Sequence, residues 1–311
     1  MTIDFIEFLM TMLKGKAGSK MINKYLLRGV KAKMAGSATI LLLAMGVMGS
    51  QQALAGISAT KHNLGSTGTG SNNKFSGTGE ICVFCHTPHG ADISAAVPLW
   101  NRTLAAPATY TTYNSLGTSS LDGATVAVGS VSIACLSCHD GTQAMNTLIN
   151  APGSGLGGDA AWVAGAWSGA NQTLGNIGAG LVTNLTTDLR NDHPIGIQYG
   201  GGMPGLGGAF TAASIADGAF KDADFKGVSY ASLNNNSVWW VDTGVVGNGR
   251  QKSDMQLYTR TGATALGSGA TLAGAQAYVE CASCHDPHTE TQTFLRIANT
   301  GSAVCLACHI K

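Results

Sequence analysis

Charge is scarce in this chain. Only 11% of its 311 residues are Asp, Glu, Lys or Arg, under half the quarter or so that is usual for a soluble domain. The 18 basic and 17 acidic side chains nearly cancel, which excludes the basic field that would collect nucleic acid. Aromatic residues reach 6%, and 43 positions are glycine, about twice the ordinary share. A conventional core of large side chains is hard to build from such material. Long hydrophobic runs are also missing: the apolar stretch Met34 to Gly49 has 16 residues and several glycines, short of the ~20 that a spanning helix needs. Something other than side chains must fill the interior.

The first 55 residues differ from the rest, holding seven of the 18 basic residues, two of the 17 acidic ones and seven of the ten methionines. They read as a signal peptide: Lys24, Arg28, Lys31 and Lys33 form a positive region, Met34 to Gly49 the apolar stretch, and Ala53-Leu54-Ala55 a small-residue cleavage site before Gly56. A retained membrane anchor is the alternative. Asp4 and Glu7 precede the positive region, so translation is expected to start as far along as Met21. The mature chain, 56–311, keeps 11 basic and 15 acidic side chains, a net charge of −4, and no transmembrane segment.

Eight cysteines make four pairs, each Cys-x-x-Cys and each followed at once by histidine: Cys82, Cys85 and His86; Cys135, Cys138 and His139; Cys281, Cys284 and His285; Cys305, Cys308 and His309. Shuffling would produce such a pentapeptide on the order of 0.005 times, so chance is excluded. The spacing is that of haem c attachment. Two thiols add to the two vinyl groups on one porphyrin edge, and the next residue brings its imidazole to the iron as proximal ligand. Disulfides explain an even count but not the histidines. Zinc hooks need no histidine at that offset, and a thioredoxin-like motif occurs once, near a βαβ pattern that is absent here.

Four histidines remain, His62, His89, His193 and His288. Four irons need four distal ligands, so the count closes if each haem is bis-histidine. Methionine competes weakly, since only Met145, Met203 and Met255 survive export. His89 and His288 lie in CVFCHTPH and CASCHDPH, which makes the first and third motifs Cys-x-x-Cys-His-x-Pro-His and hints at two half-repeats. A histidine three residues after a proximal one stays on the attachment side of its own porphyrin and should ligate a neighbour. Pro88 and Pro287 stiffen the turns that aim these rings. On this argument His89 serves the second haem and His288 the fourth, leaving His62 and His193 for the first and third.

Iron held by two imidazoles has no open position for substrate, so the expected activity is electron transfer rather than catalysis. Each ferric bis-histidine haem with two propionates carries about −1 and each ferrous one about −2, taking the holoprotein from about −8 to −12 on reduction. Some propionates are expected to pair with arginines among Arg102, Arg190, Arg250, Arg260 and Arg296. No Cys-x-x-Cys-Lys motif and no spare histidine support a reductase with a five-coordinate haem.

The stretch 141–280 is a glycine-rich insert with no cysteine and one histidine. Short strands, turns and brief helices suit it, with β-like runs at SVWWVD and DHPIGIQY and a helix expected over 271–286. The expected fold is therefore an irregular, loop-rich multihaem cytochrome whose core is built around four covalent haems. Trp162, Trp167, Trp239 and Trp240 read as packing rather than electron relays. Asp222 and Asp224 read as a solvated turn rather than a calcium site. Triplets at Asn101, Asn171, Asn184 and Asn235 would permit glycosylation.

The runs GTGEICVFCHTPHG, CLSCHDGT, NDHPIGIQY and CASCHDPHTETQTFLR resemble the tetrahaem extracellular cytochrome nanowires of the OmcE type. The resemblance covers the haem-bearing segments well and the insert poorly. It implies a homopolymeric filament with a continuous stack of bis-histidine haems, passing respiratory electrons to partner proteins or extracellular acceptors. It further implies a distal histidine donated across the subunit boundary, for which His62, seven residues into the mature chain, is the expected donor. A monomeric periplasmic or cell-surface shuttle with the same haems is the alternative.

Overall fold

Glycine and short polar residues interrupt nearly every run of this chain, and its regular elements are correspondingly brief. The computed structural model describes residues 56–69, 73–153, 158–168, 177–192 and 194–310, all within the compact unit Gly56–Lys311. The expected signal segment at 1–55, together with His193 and Asn171, lies outside the described residues.

In chain order, β1 (Lys74–Phe75) pairs with β2 (Trp167–Ser168) in a small antiparallel ribbon; between them come α1 (Ser130–His139) and the single turn α2 (Ala160–Val163). Then follow β3 (Ile197–Gln198), β4 (Ser229–Leu233), β5 (Asn236–Val241), β6 (Met255–Thr261), β7 (Ala275–Val279), α3 (Cys281–Cys284) and α4 (Ala303–Cys308). Strands β3 to β7 form one antiparallel sheet in the order β3-β7-β6-β5-β4. Among the described residues no helix is long and apolar enough to cross a membrane.

The β4–β5 hairpin turns through Asn234 and Asn235 at φ 51° and 62°, the two left-handed residues of a tight I′-type connection that asparagine tolerates well. The expected strand SVWWVD is β5, with Trp239, Trp240 and Val241 buried. The helix expected over 271–286 is not formed. Ala275–Val279 is a strand hydrogen-bonded on both sides, to β6 and β3, and only Cys281–Cys284 makes a helical turn. Sheet pairing and burial override the weak helical preference of this segment, with Gly274 at φ 63° just before the strand.

Apolar residues gather in three small clusters rather than one core. The sheet carries Tyr199, Phe210, Phe220, Trp239 and Met255; a second cluster surrounds Leu136 with Trp100, Tyr110 and Ile133; a third joins Phe75, Phe84, Met145 and Trp162. Motif cysteines sit at the rim of each: Cys284 and Cys308, Cys85 and Cys281, and Cys85 and Cys138 respectively. The tryptophans pack as expected, Trp162 at 4.6 Å from Phe75. Asp222 Oδ1 accepts the Asp224 backbone N–H at 3.0 Å, a local turn, and no acidic or ligand cluster for a metal ion occurs among the described residues. Asn101 is wholly buried. Its amide spans Val83 O, Asn150 O and the Asn150 N–H at 2.7, 2.9 and 2.8 Å, so the folded protein cannot carry a glycan there.

Candidate haem-attachment site

Each motif occupies one turn of helix or 3₁₀-helix, which brings its two thiols to the same face. The first lies on a turn at Cys82–Phe84, the second ends α1, the third is α3 and the fourth ends α4. In the first, third and fourth, the histidine N–H donates to the first cysteine's carbonyl at 2.8, 3.1 and 3.0 Å. His285 and His309 then leave the turn with nearly identical extended backbones, φ −104° and −102°, both at ψ 142°. The helix therefore stops where the imidazole must swing away.

The four thiol pairs follow one another in chain order through space. Cys85 and Cys138 lie at the rim of the same apolar cluster. Cys135 is hydrogen-bonded to Cys281. Cys284 neighbours Cys305, and Cys308 neighbours Cys284. Burial pushes the Cys85 and Cys308 thiols up to about 12, whereas the hydrogen bond with Cys135 lowers the Cys281 thiol.

The proximal imidazoles are oriented from behind. His86 Nδ1 lies 2.8 Å from Pro98 O, His139 Nδ1 2.9 Å from Thr183 O and His285 Nδ1 2.9 Å from Thr293 O. Donation from Nδ1 fixes the tautomer and puts the ring's lone pair on Nε2, the arrangement of a metal-bound histidine.

Two further imidazoles stand opposite two of these. The His62 and His139 ring centres are 6.2 Å apart, those of His86 and His288 6.3 Å. Two metal–nitrogen bonds of about 2.0 Å, with roughly 1.1 Å from each nitrogen to its ring centre, place trans imidazoles about 6.2 Å apart. The donor set therefore fits bis-histidine iron at both positions. Burial, and then the neighbouring His139, hold His62 down at about 4, and burial lowers His139. Neutral imidazole is the form that can ligate.

Residues 274–311 match the doubled CXXCH motif family. This segment, holding the third and fourth motifs, is a covalent haem c site of the multihaem c-type cytochrome kind, and electron transfer is the chemistry of such sites. No curated protein matches the chain. The first and second motifs lie outside the matched residues; the first repeats the histidine N–H to cysteine carbonyl bond of that segment, while the second keeps His139 inside α1.

The ring geometry brings together other pairs than those expected. His288 faces His86 of the first motif, not the fourth. Within the chain, the His62 ring stands opposite His139 of the second motif rather than His86 of the first. The sequence argument rightly turns a histidine three residues on towards a neighbour; the fold decides which neighbour, because Cys135–Cys281 contact brings the third motif against the front of the molecule. His89 does not face His139 either; it is exposed, while Asn150 Nδ2 and Thr87 Oγ1 hold its carbonyl at 2.5 and 3.1 Å. His309 faces no histidine among the described residues and lies 4.3 Å from the Phe225 ring. Met145 and Met255 are buried in the apolar clusters.

Several residues that shape the site have no motif to announce them. Phe294 stacks on His62 at 4.1 Å and 12° between planes. It and Thr293, whose carbonyl anchors His285, both take left-handed φ, 58° and 55°, strain of the sort stored at ligand clamps. Gly56 at φ 124° lies so close to His288 that an added Cβ would come 2.3 Å from the His288 carbonyl oxygen. Of the arginines, Arg190 is paired with Asp188 at 2.5 Å, Arg260 with buried Glu280, and Arg102 with three backbone carbonyls. Arg296 differs. Bonded to the Ala282 and Lys252 carbonyls at 3.0 and 2.8 Å, it shares with Lys252 and Asp286 a cleft of about 300 Å³ beside His288.

Proposed function

We propose that the chain carries four covalent haems c and conducts electrons along them as an exported protein, without a substrate-binding haem. The observation that carries this reading is the unbroken run of thiol pairs from Cys82 to Cys308, flanked by imidazoles opposed at 6.2 and 6.3 Å. Haem held by two imidazoles supplies one-electron acceptance and release at a saturated iron. Cys82/Cys85, Cys135/Cys138, Cys281/Cys284 and Cys305/Cys308 would make the thioethers. His86 with His288 and His139 with His62 would complete two iron sites, and His285 and His309 the proximal sides of the others, with His193 and His89 left as their partners. Arg296 and Lys252 offer cations for propionates at the cleft beside His288.

The filament reading is favoured over a soluble shuttle by where the unmatched ligands lie. His89 is exposed at a loop held firmly by Asn150, with Ile93 89% and Leu99 49% exposed nearby in the chain. Cys305 of the fourth motif is also exposed, beside Leu306. A surplus imidazole on one surface and a ligand-short motif on another suit a heterologous, head-to-tail contact, which propagates. The donor across such a contact would be His89, in place of His62.

Mass spectrometry of the exported protein tests the haem reading: four haem additions are expected, and any other number refutes it. Carbon monoxide should barely perturb the reduced spectrum, whereas strong binding would reveal a vacant iron and a reductase-like site. Electron microscopy of sheared cell-surface material tests assembly; haem-dense filaments of constant repeat are expected, and a uniformly monomeric product leaves the shuttle.

A further inference from the structure

Arg102 is a fully buried cation with no carboxylate against it. Its side chain is 0% exposed, and no carboxylate lies within ion-pair distance of it among the described residues. Nη1 donates to Met145 O at 2.9 Å and Nη2 to Ser137 O and Ala144 O at 2.9 and 3.0 Å, while Nε has no partner. An isolated buried charge is costly, and three carbonyl dipoles only partly replace its hydration. A clamp alone would not require an ion.

Its position suggests what the charge does. Asn101, the preceding residue, donates its backbone N–H to Cys85 O at 2.9 Å, and Ser137 lies between the thiols of the second motif. The guanidinium therefore stands where the first and second motifs meet, and its field reaches both Cys85 and Cys138. The charged group nearest to it in effect is Asp140, buried and held by Tyr110 Oη at 2.7 Å and by Thr142 N–H and Oγ1 at 2.9 and 2.8 Å. Asp140 directly follows His139, which places this opposing charge at the second motif.

We propose that Arg102 is an electrostatic tuning residue, whose unpaired interior charge favours an electron at the first and second haems over the third and fourth, with Asp140 countering it at the second only. A positive charge in a low-dielectric interior stabilises the added electron of the reduced state, and over short distances the effect exceeds that of any surface charge. The conduit is then graded rather than uniform, highest at the first motif. This rests on the covalent-haem reading above.

Spectroelectrochemical titration of the holoprotein, with haem methyl resonances followed through reduction, tests it. In Arg102→Gln two of the four haems should move to lower potential, the first further than the second, while the other two stay. Arg102→Lys, which keeps the charge and loses the fork, should stay close to the unmodified protein. Asp140→Asn should raise one haem alone. Unmoved waves in Arg102→Gln, equal displacement of all four, or a Lys variant displaced as far as the Gln variant would overturn the proposal. Should Arg102→Gln fail to assemble four haems, Asp140→Asn decides: a single upward shift supports it and none refutes it. A haem count other than four in the unmodified protein is instead the failure of the underlying reading.

Discussion

The imidazole planes of His62 and His139 cross at 68°, whereas those of His86 and His288 lie within 20° of each other. The two opposed pairs thus share a spacing but not an orientation. Crossed planes leave the two iron orbitals that receive imidazole electron density nearly equal in energy, and parallel planes split them. Electron paramagnetic resonance of the oxidised protein should therefore show at least one strongly anisotropic low-spin signal and one rhombic signal. His62→Ala should remove the former and His288→Ala the latter; loss of the same signal in both variants would contradict the assigned pairs.

Removing one distal ligand should not release the prosthetic group, since attachment belongs to the cysteines. His62→Ala and His288→Ala should each retain four haems and convert one iron to high spin. Phe294→Ala should weaken the same site as His62→Ala, because the stacked ring at 4.1 Å fixes the imidazole; partial high-spin character, reversed by Phe294→Tyr, is the expected spectrum.

Acid should act through His62. Its folded value, about 4, lies below the ordinary 6.5, so the unfolded chain binds the extra proton first. The stability due to the neutral buried ring is fully present above about 6.5 and is lost as pH falls towards about 4. Thermal melts across that window should show a declining midpoint that is shallower in His62→Ala. An unchanged slope in that variant would place the acid sensitivity elsewhere.

Arg260 and Glu280 form an ion pair inside the molecule, next to the junction of the second and third motifs. Glu280 is 1% exposed, caps α3 with Ser283 and accepts Ser132 Oγ at 2.6 Å. Burial still leaves its carboxyl above the ordinary value, despite the guanidinium, so the pair does not recover its full desolvation cost. Arg260→Met should destabilise by about 3–5 kcal/mol by stranding the carboxylate. Adding Glu280→Gln should restore much of the loss in chemical denaturation, and failure to do so would mean that the pair stabilises directly.

The four Cys-x-x-Cys-His motifs were legible because their fixed local spacing announces them. The strand at Trp239–Trp240 was legible for a similar reason, since β-rich residues cluster there. What could not be read was which imidazole meets which. His288 reaches His86 because the second and third motifs are held together, a contact with no signature in either segment. The misplaced helix over 271–286 has the same origin: Ala275–Val279 is a strand because β6 and β3 flank it, and those partners lie far away in sequence. The carbonyls of Pro98, Thr183 and Thr293 are invisible to residue identity altogether, because any residue supplies one.

The link from His288 to His86 has a bearing on how such a molecule could have arisen. The first and third motifs look like copies of one unit, yet the ring following the third stands opposite the histidine of the first. A chain cut before Cys281 would keep two whole attachment sites and lose the imidazole opposite His86, so the front portion is not a self-sufficient ancestor. If duplication made this protein, the first copy has since come to depend on a ring supplied by the second, which could not now be shed without disabling it.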